Sequence, residues 1–300
     1  MSNNMTSQPM TASSVDSSQP QTHLSRNPQD LSPYQSLSLQ LKHLRLSHML
    51  SHWETIEQQA MRENWSYAQF LLALCQLETQ RRKAMRLQRA LTEAQLPNAK
   101  TVSNFDWTHL PQVNPLPIQK LATELEWIEQ ASNLLIFGPS GVGKTHVAAG
   151  LARAAIEAGK RAKFFSATNL VQQLQQEKLH LQLQAALKKL DRFDLIVIDD
   201  LGYVQKSEAE TSVLFELIAY RYERKSIMVT ANQPFSQWEA IFGDSMMTVA
   251  AIDRLIHHAV IFEMKADSFR KRQAQQRSQE LQSASSDRTK PSAKKAKSST

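Results

Sequence analysis

Residues 138 to 145, Gly-Pro-Ser-Gly-Val-Gly-Lys-Thr, fit the pattern G-x-x-x-x-G-K-[ST], and their flanks restrict what the chain can fold into. Before them, Leu134, Leu135, Ile136 and Phe137 form the short apolar run of a buried strand. After them, Val147, Ala148, Leu151 and Ala155 recur at helical spacing up to a stop at Gly159. A strand, a glycine-rich turn and a helix in that order cradle phosphate, because the glycines let backbone N–H groups face the oxygens and the helix adds its positive end. The expected ATP-binding residues are Gly138, Pro139, Ser140, Gly141, Val142, Gly143, Lys144, Thr145 and His146. Lys144 is expected to reach the β- and γ-phosphates, and Thr145 to hold Mg2+.

A magnesium carboxylate should end a second buried strand, and Leu195, Ile196, Val197 and Ile198 lead into Asp199 and Asp200. Asp199 is the expected metal ligand. Asp200 stands where a carboxylate can orient and deprotonate the attacking water. A third apolar run, Ile227 to Thr230, ends in Ala231 and Asn232, so Asn232 is the candidate sensor of the γ-phosphate. Arg254 lies on a segment that reads as helical, Ala251-Ile252-Asp253-Arg254-Leu255. In a multi-subunit enzyme it could enter a neighbour's site and neutralise transition-state charge. Lys144, Asp200, Asn232 and Arg254 form the expected catalytic set.

These elements alternate strand and helix, which predicts an α/β fold with a P-loop core: a parallel sheet flanked by helices, preceded by a small N-terminal helical domain. Residues 1–35 read as a disordered polar leader and 36–100 as a helical DNA-binding module. Residues 101–132 read as a linker whose Phe105 and Trp107 dock the two domains, 133–272 as the ATPase domain, and 273–300 as a disordered basic tail. Within the module, Leu46, Met49, Leu50, Trp53 and Ile56 keep helical spacing. Ser66 with Gln69 makes a capping box for a helix whose face is Tyr67, Phe70, Leu71 and Leu74. Asn169 to Leu190 is a Gln/Leu-rich helical stretch.

Charge is uneven along the chain. Residues 270–300 carry a net +7 and residues 36–100 a net +4, while residues 101–269 carry −3. A polyanion such as duplex DNA would therefore meet the N-terminal module and the tail rather than the ATPase core. Arg81, Arg82, Lys83, Arg86 and Arg89 are the expected DNA contacts, since Arg82, Arg86 and Arg89 fall one helical turn apart and few acidic neighbours are available to pair them. No aromatic residue interleaves this row, which favours duplex backbone over stacked single strands. The lone Cys75 excludes an internal disulfide and reads as a packing residue. No run is apolar enough to span a membrane, so a cytoplasmic location is expected.

In order, these motifs resemble the IstB-like ATP-binding proteins, helper subunits encoded beside the transposase in one type of bacterial insertion sequence. The resemblance runs over about residues 37 to 272 and rests on GPSGVGKTH, IVIDDLGY, LFELIAYRYERKS, TANQPFSQW, AIDRLIHH and Ser268-Phe269-Arg270. It implies an AAA+ ATPase using ATP and Mg2+ that assembles as a homo-oligomer on duplex DNA, largely without sequence preference, and stimulates a cognate transposase. Related DnaC-type helicase loaders supply the alternative, in which the N-terminal bundle grips a helicase. Arg270 would sense nucleotide or line the subunit contact, and the helical lid of many AAA+ proteins should be missing or minimal. Two residues depart from the family's habit: Asp200 stands where many members have Glu, and Ala231 where Ser is usual.

Overall fold

In a computed structural model the described residues are 32–201, 208–233, 237–238 and 246–264. Arg270, the expected lid, the tail and residues 1–31 of the leader lie outside them. The chain divides into two compact units, Met1–Arg82 and Lys83–Thr300.

The first unit holds α1 (Pro33–His43), α2 (Ser47–Glu63) and the first half of α3 (Tyr67–Ala94). Order begins before residue 36. Ser32 accepts from Gln35 N–H while the Gln35 side chain accepts from Ser32 N–H, a capping box that starts α1 with Pro33 in its first turn. The second capping box, Ser66 with Gln69, is present at 3.3 and 2.7 Å. Leu41, Met49, Trp53 and Leu74 form the buried core, with Leu46, Leu50, Ile56 and Phe70 against it. Tyr67 and Leu71, expected on the same apolar face, are 95% and 60% exposed. Cys75, expected to pack, is also exposed.

The second unit carries a five-stranded parallel sheet in the order β2-β3-β4-β1-β5, comprising β1 (Asn133–Phe137), β2 (Ala162–Ser166), β3 (Leu195–Leu201), β4 (Ser226–Ala231) and β5 (Ala259–Glu263). Central β1 and β4 are buried at every position, as apolar runs without alternation require when both faces are covered. One face packs on α7 (Ala167–Leu179), α8 (Leu183–Leu190), α9 (Glu208–Arg221) and α10 (Met246–His257). The other packs on α6 (Lys144–Glu157), α4 (Leu116–Thr123), α5 (Glu126–Glu129) and the end of α3. The stretch expected as one helical segment from Asn169 to Leu190 breaks between α7 and α8, where Leu181 takes a positive φ of 58°.

Two segments fall differently from the sequence expectation. Residues 83–100 are part of the second unit: Glu93 forms a two-pronged pair with Arg161 at 2.9 and 3.0 Å, and Lys163 donates to its carbonyl at 2.8 Å. Residues 101–132 are core rather than linker, since Leu110, Ile118, Trp127 and Ile128 are buried under the sheet. Phe105 and Trp107 pack there too, inside the second unit.

Buried Arg221 ties the strand starts together. It donates to the carbonyls of Leu190, Phe193, Asp194 and Ser226, and burial lowers its pKa to about 10 without discharging it at neutral pH.

Candidate functional site

Parallel register brings the candidate residues to one edge of the sheet. Phe137 lies beside Ala231, and Ile198 beside Val229, so the glycine turn after β1, the acids ending β3 and Asn232 after β4 emerge together. The turn approaches its neighbours closely. A Cβ on Gly138 would stand 2.3 Å from the Met264 carbonyl oxygen, and one on Gly143 would stand 2.4 Å from the Phe105 ring, where φ is 100°. Only glycine satisfies both positions.

Lys144, opening α6, is buried, and its ammonium donates to the carbonyls of Gly138 and Pro139 at 2.8 and 2.9 Å and to Asn232 Oδ1 at 2.6 Å. The Asn232 amide in turn donates to Asp200 Oδ1 at 3.3 Å. A second chain runs beside it. Thr145 Oγ1 donates to Asp199 Oδ2 at 3.0 Å, and Thr230 Oγ1 donates to Asp199 Oδ1 at 2.5 Å. Burial pushes the Asp199 carboxyl above its ordinary range, and the two hydroxyl bonds oppose that rise.

Asp199 and Asp200 are adjacent yet face different surroundings, because the β3–β4 register shifts between Ile198 and Leu201 and Asp200 takes φ 63°. This bulge turns the Asp200 side chain out to solvent and leaves Asp199 buried. The Asp200 N–H donates to Thr230 Oγ1 at 2.9 Å, so one hydroxyl braces both acids. Sequence reasoning missed Thr230, which is indistinguishable from any β-branched residue in its apolar run.

His146, expected among the ATP-binding residues, has protein partners in the segment that precedes β1. Its Nε2 lies 3.0 Å from the Thr101 carbonyl and 2.8 Å from Asn104 Oδ1; both are acceptors, so Nε2 carries the proton. Burial lowers its pKa, which favours the neutral ring, while the bond to the Thr101 carbonyl opposes that shift. His146 therefore pins the 99–109 segment beside the glycine turn. There a cavity of about 290 Å3 is lined by Asn104, Phe105, Asp106, His109, Leu110, Gly141, Val142, Gly143 and His146. Nothing in the spacing of residues 104 to 109 signalled this pocket.

The donors at the acid edge suit a hard cation. Thr145 and Asp199 present hydroxyl and carboxylate oxygens side by side, the chemistry Mg2+ selects. Arg254 is exposed on α10 and does not join the cluster. The neighbouring Leu255 carbonyl accepts from the side chain of Asn133, the first residue of β1, which places this turn of α10 at the opposite edge of the sheet. Five strand residues, roughly 16 Å, separate the two edges.

Of the basic row, Arg81, Lys83, Arg86 and Arg89 are exposed on α3. Arg82 is engaged: its guanidinium pairs with Glu78 at 2.8 Å and donates to the Arg45 carbonyl at 3.2 Å. The expectation that few acids could pair these cations fails at this residue, because Glu78 sits one turn earlier on the same face.

The family model described as IstB-like ATP binding protein matches residues 39–277. The chain belongs to that family. An insertion-sequence ATP-binding protein of Sinorhizobium fredii is 48% identical over 238 residues, covering 79% of this chain and 80% of the relative. The IS5376 ATP-binding protein of Geobacillus stearothermophilus is 35% identical over 77% of this chain and 91% of its own length. The IS21 ATP-binding protein of Pseudomonas aeruginosa is 33% identical over 78% and 88%. Among solved structures, the DnaC helicase loader aligns at 23% identity with a TM-score of 0.43, covering 50% of this chain and 88% of that one, a likeness too loose to bear on function. No helix among the described residues is long and apolar enough to cross a membrane.

Proposed function

We propose that this chain is the ATP-hydrolysing helper of an insertion sequence, assembling as a homo-oligomer on duplex DNA and assisting a partner transposase. The observation that carries the reading is the meeting of Lys144, Asn232 and Asp200 with Thr145, Thr230 and Asp199 at one sheet edge, in a chain whose relatives are insertion-sequence ATP-binding proteins.

The triphosphate lies on the N–H groups of the glycine turn at the N-terminus of α6. Lys144 exchanges the carbonyls of Gly138 and Pro139 for phosphate oxygens, keeping its three donors occupied. Thr145 and Asp199 are the residues that would hold Mg2+, and the ion would supply charge neutralisation at the phosphates. Asn232 orients the attacking water, and the exposed carboxylate of Asp200 takes its proton. Phe105 and the cavity beside it hold the base.

Arg254 faces the wrong edge to serve its own site, which favours its acting on a second copy's nucleotide. Arg81, Lys83, Arg86 and Arg89 contact phosphates along a duplex, with Arg82 held back by Glu78.

Electron microscopy of the full chain on a plain duplex, with and without ATP and Mg2+, tests this. Nucleotide-dependent assemblies that Lys144→Ala cannot form are expected. A chain that stays monomeric and ignores duplex at saturating nucleotide overturns the proposal, and a stable complex with a replicative helicase but none with the transposase replaces it with the loader reading.

A further inference from the structure

At the sheet edge opposite the glycine turn, Glu223, His257 and His258 gather on the surface, with one potential ligand atom from each within 4.8 Å of the others. We propose that they form a binding site for a divalent transition metal of the zinc class, separate from the magnesium site. Two imidazoles and a carboxylate are a donor set that Zn2+ and its borderline neighbours prefer and Mg2+ does not.

The backbone that carries these ligands is fixed from beneath. His257 ends α10 and His258 follows it. Asn133 N–H donates to the His258 carbonyl at 2.9 Å, and the Asn133 side chain donates to Leu255 at 2.9 Å. The same amide accepts from Ile227 N–H at 2.9 Å, linking this corner to β4, whose start follows the Glu223 turn. That turn is held by Arg221, whose carbonyl accepts from the N–H groups of Arg224 and Lys225 and whose side chain is buried among carbonyls. Glu223 itself takes φ 55°, the left-handed conformation with which the chain leaves α9.

Side chains are arranged as well. The Tyr222 hydroxyl lies 2.9 Å from His257 Nδ1 and orients that ring, the outer partner that metal-bound histidines generally have. His258 Nε2 stands 3.5 Å from Glu223 Oε1, and the two rings are 4.1 Å apart between centroids. An ion here would staple the end of α10 to the α9–β4 turn, with water completing its shell at this exposed position. It would also add positive charge one turn after Arg254.

Calorimetric titration of the full chain with Zn2+, free of nucleotide and Mg2+, gives the test, with visible absorption of Co2+ as a second readout. Expected are micromolar or tighter Zn2+ binding, weakened more than about tenfold in His257→Ala/His258→Ala and in Glu223→Gln, and about tenfold in Tyr222→Phe. Because Glu223, His257 and His258 are exposed, melting of their variants without metal should hardly change, whereas the rise in melting temperature that Zn2+ gives the wild type should vanish. A second close histidine pair among the described residues, His48 and His52 on α2, is the control, and His48→Ala/His52→Ala should bind as the wild type does. Unweakened binding in both the double variant and Glu223→Gln, or no binding to the wild type at micromolar Zn2+, overturns the site.

Discussion

At the scale of single residues, the site depends on a side chain with no chemistry of its own. Thr230 donates to Asp199 and accepts from the Asp200 backbone, so it sets both the buried acid and the bulge that exposes the other. Thr230→Val keeps the shape and removes both bonds; leaving a buried carboxylate short of a partner should cost about 1–3 kcal/mol. ATP turnover should fall while ATP affinity changes little, which steady-state kinetics and equilibrium nucleotide binding will separate. Asp200→Asn is predicted to retain ATP binding and lose about 10²- to 10⁴-fold in turnover, the usual contribution of a positioned base. Normal turnover in Asp200→Asn would remove it from the mechanism. The acids themselves were legible because charge ending an apolar run is conspicuous; Thr230 was not, since threonine is also an ordinary strand residue.

Elements show why the helical module and the supposed linker were harder to read. Helical spacing located α2 and α3, but spacing does not say which long side chain will turn inward. Glu78 does so, accepting from His48 and Met49 N–H at the start of α2 and from Arg82. Desolvation pushes its carboxyl upward, but these donors outweigh it and hold the pKa below the ordinary 4.5. A depressed acid stabilises above its unfolded pKa and loses that contribution as pH falls through the folded value. Hydrogen exchange at the His48 and Met49 amides should therefore quicken, after correction for intrinsic rates, as pH drops below 4.5. In Glu78→Gln protection should already be reduced at neutral pH, with a flatter pH dependence. Residues 101 to 132 looked like a linker because proline-broken short elements carry no long periodicity, yet their backbone is packed tightly. A Cβ on Gly150 would lie 2.7 Å from Val102 N and 2.9 Å from the Thr101 carbonyl carbon. Gly150→Ala should displace the segment that His146 holds and weaken nucleotide binding more than it slows bound-state turnover, as single-turnover measurements would reveal.

For the whole molecule, alternation of strands and helices predicted a parallel sheet, but not the order β2-β3-β4-β1-β5, because near-continuous apolar runs do not name their neighbours. Charge distribution is legible directly and frames the test of DNA contact. Residues 101–269 are net negative, so net charge points to cations elsewhere for contact with a polyanion. Arg86 and Arg89 are exposed on α3, whereas Arg82 is committed to Glu78 and the Arg45 carbonyl. If the exposed pair neutralises two phosphates, Arg86→Glu/Arg89→Glu should weaken binding to all duplex sequences alike. It should also lower the slope of log affinity against log salt by about 2, close to 0.9 per lost contact. Arg82→Glu should behave differently, because it sets a like charge beside a buried carboxylate and so lowers thermal stability. Fluorescence anisotropy across a salt series, with melting curves for each variant, distinguishes a lost phosphate contact from a damaged fold. An unchanged slope in Arg86→Glu/Arg89→Glu assigns the duplex contact to other cations of the chain.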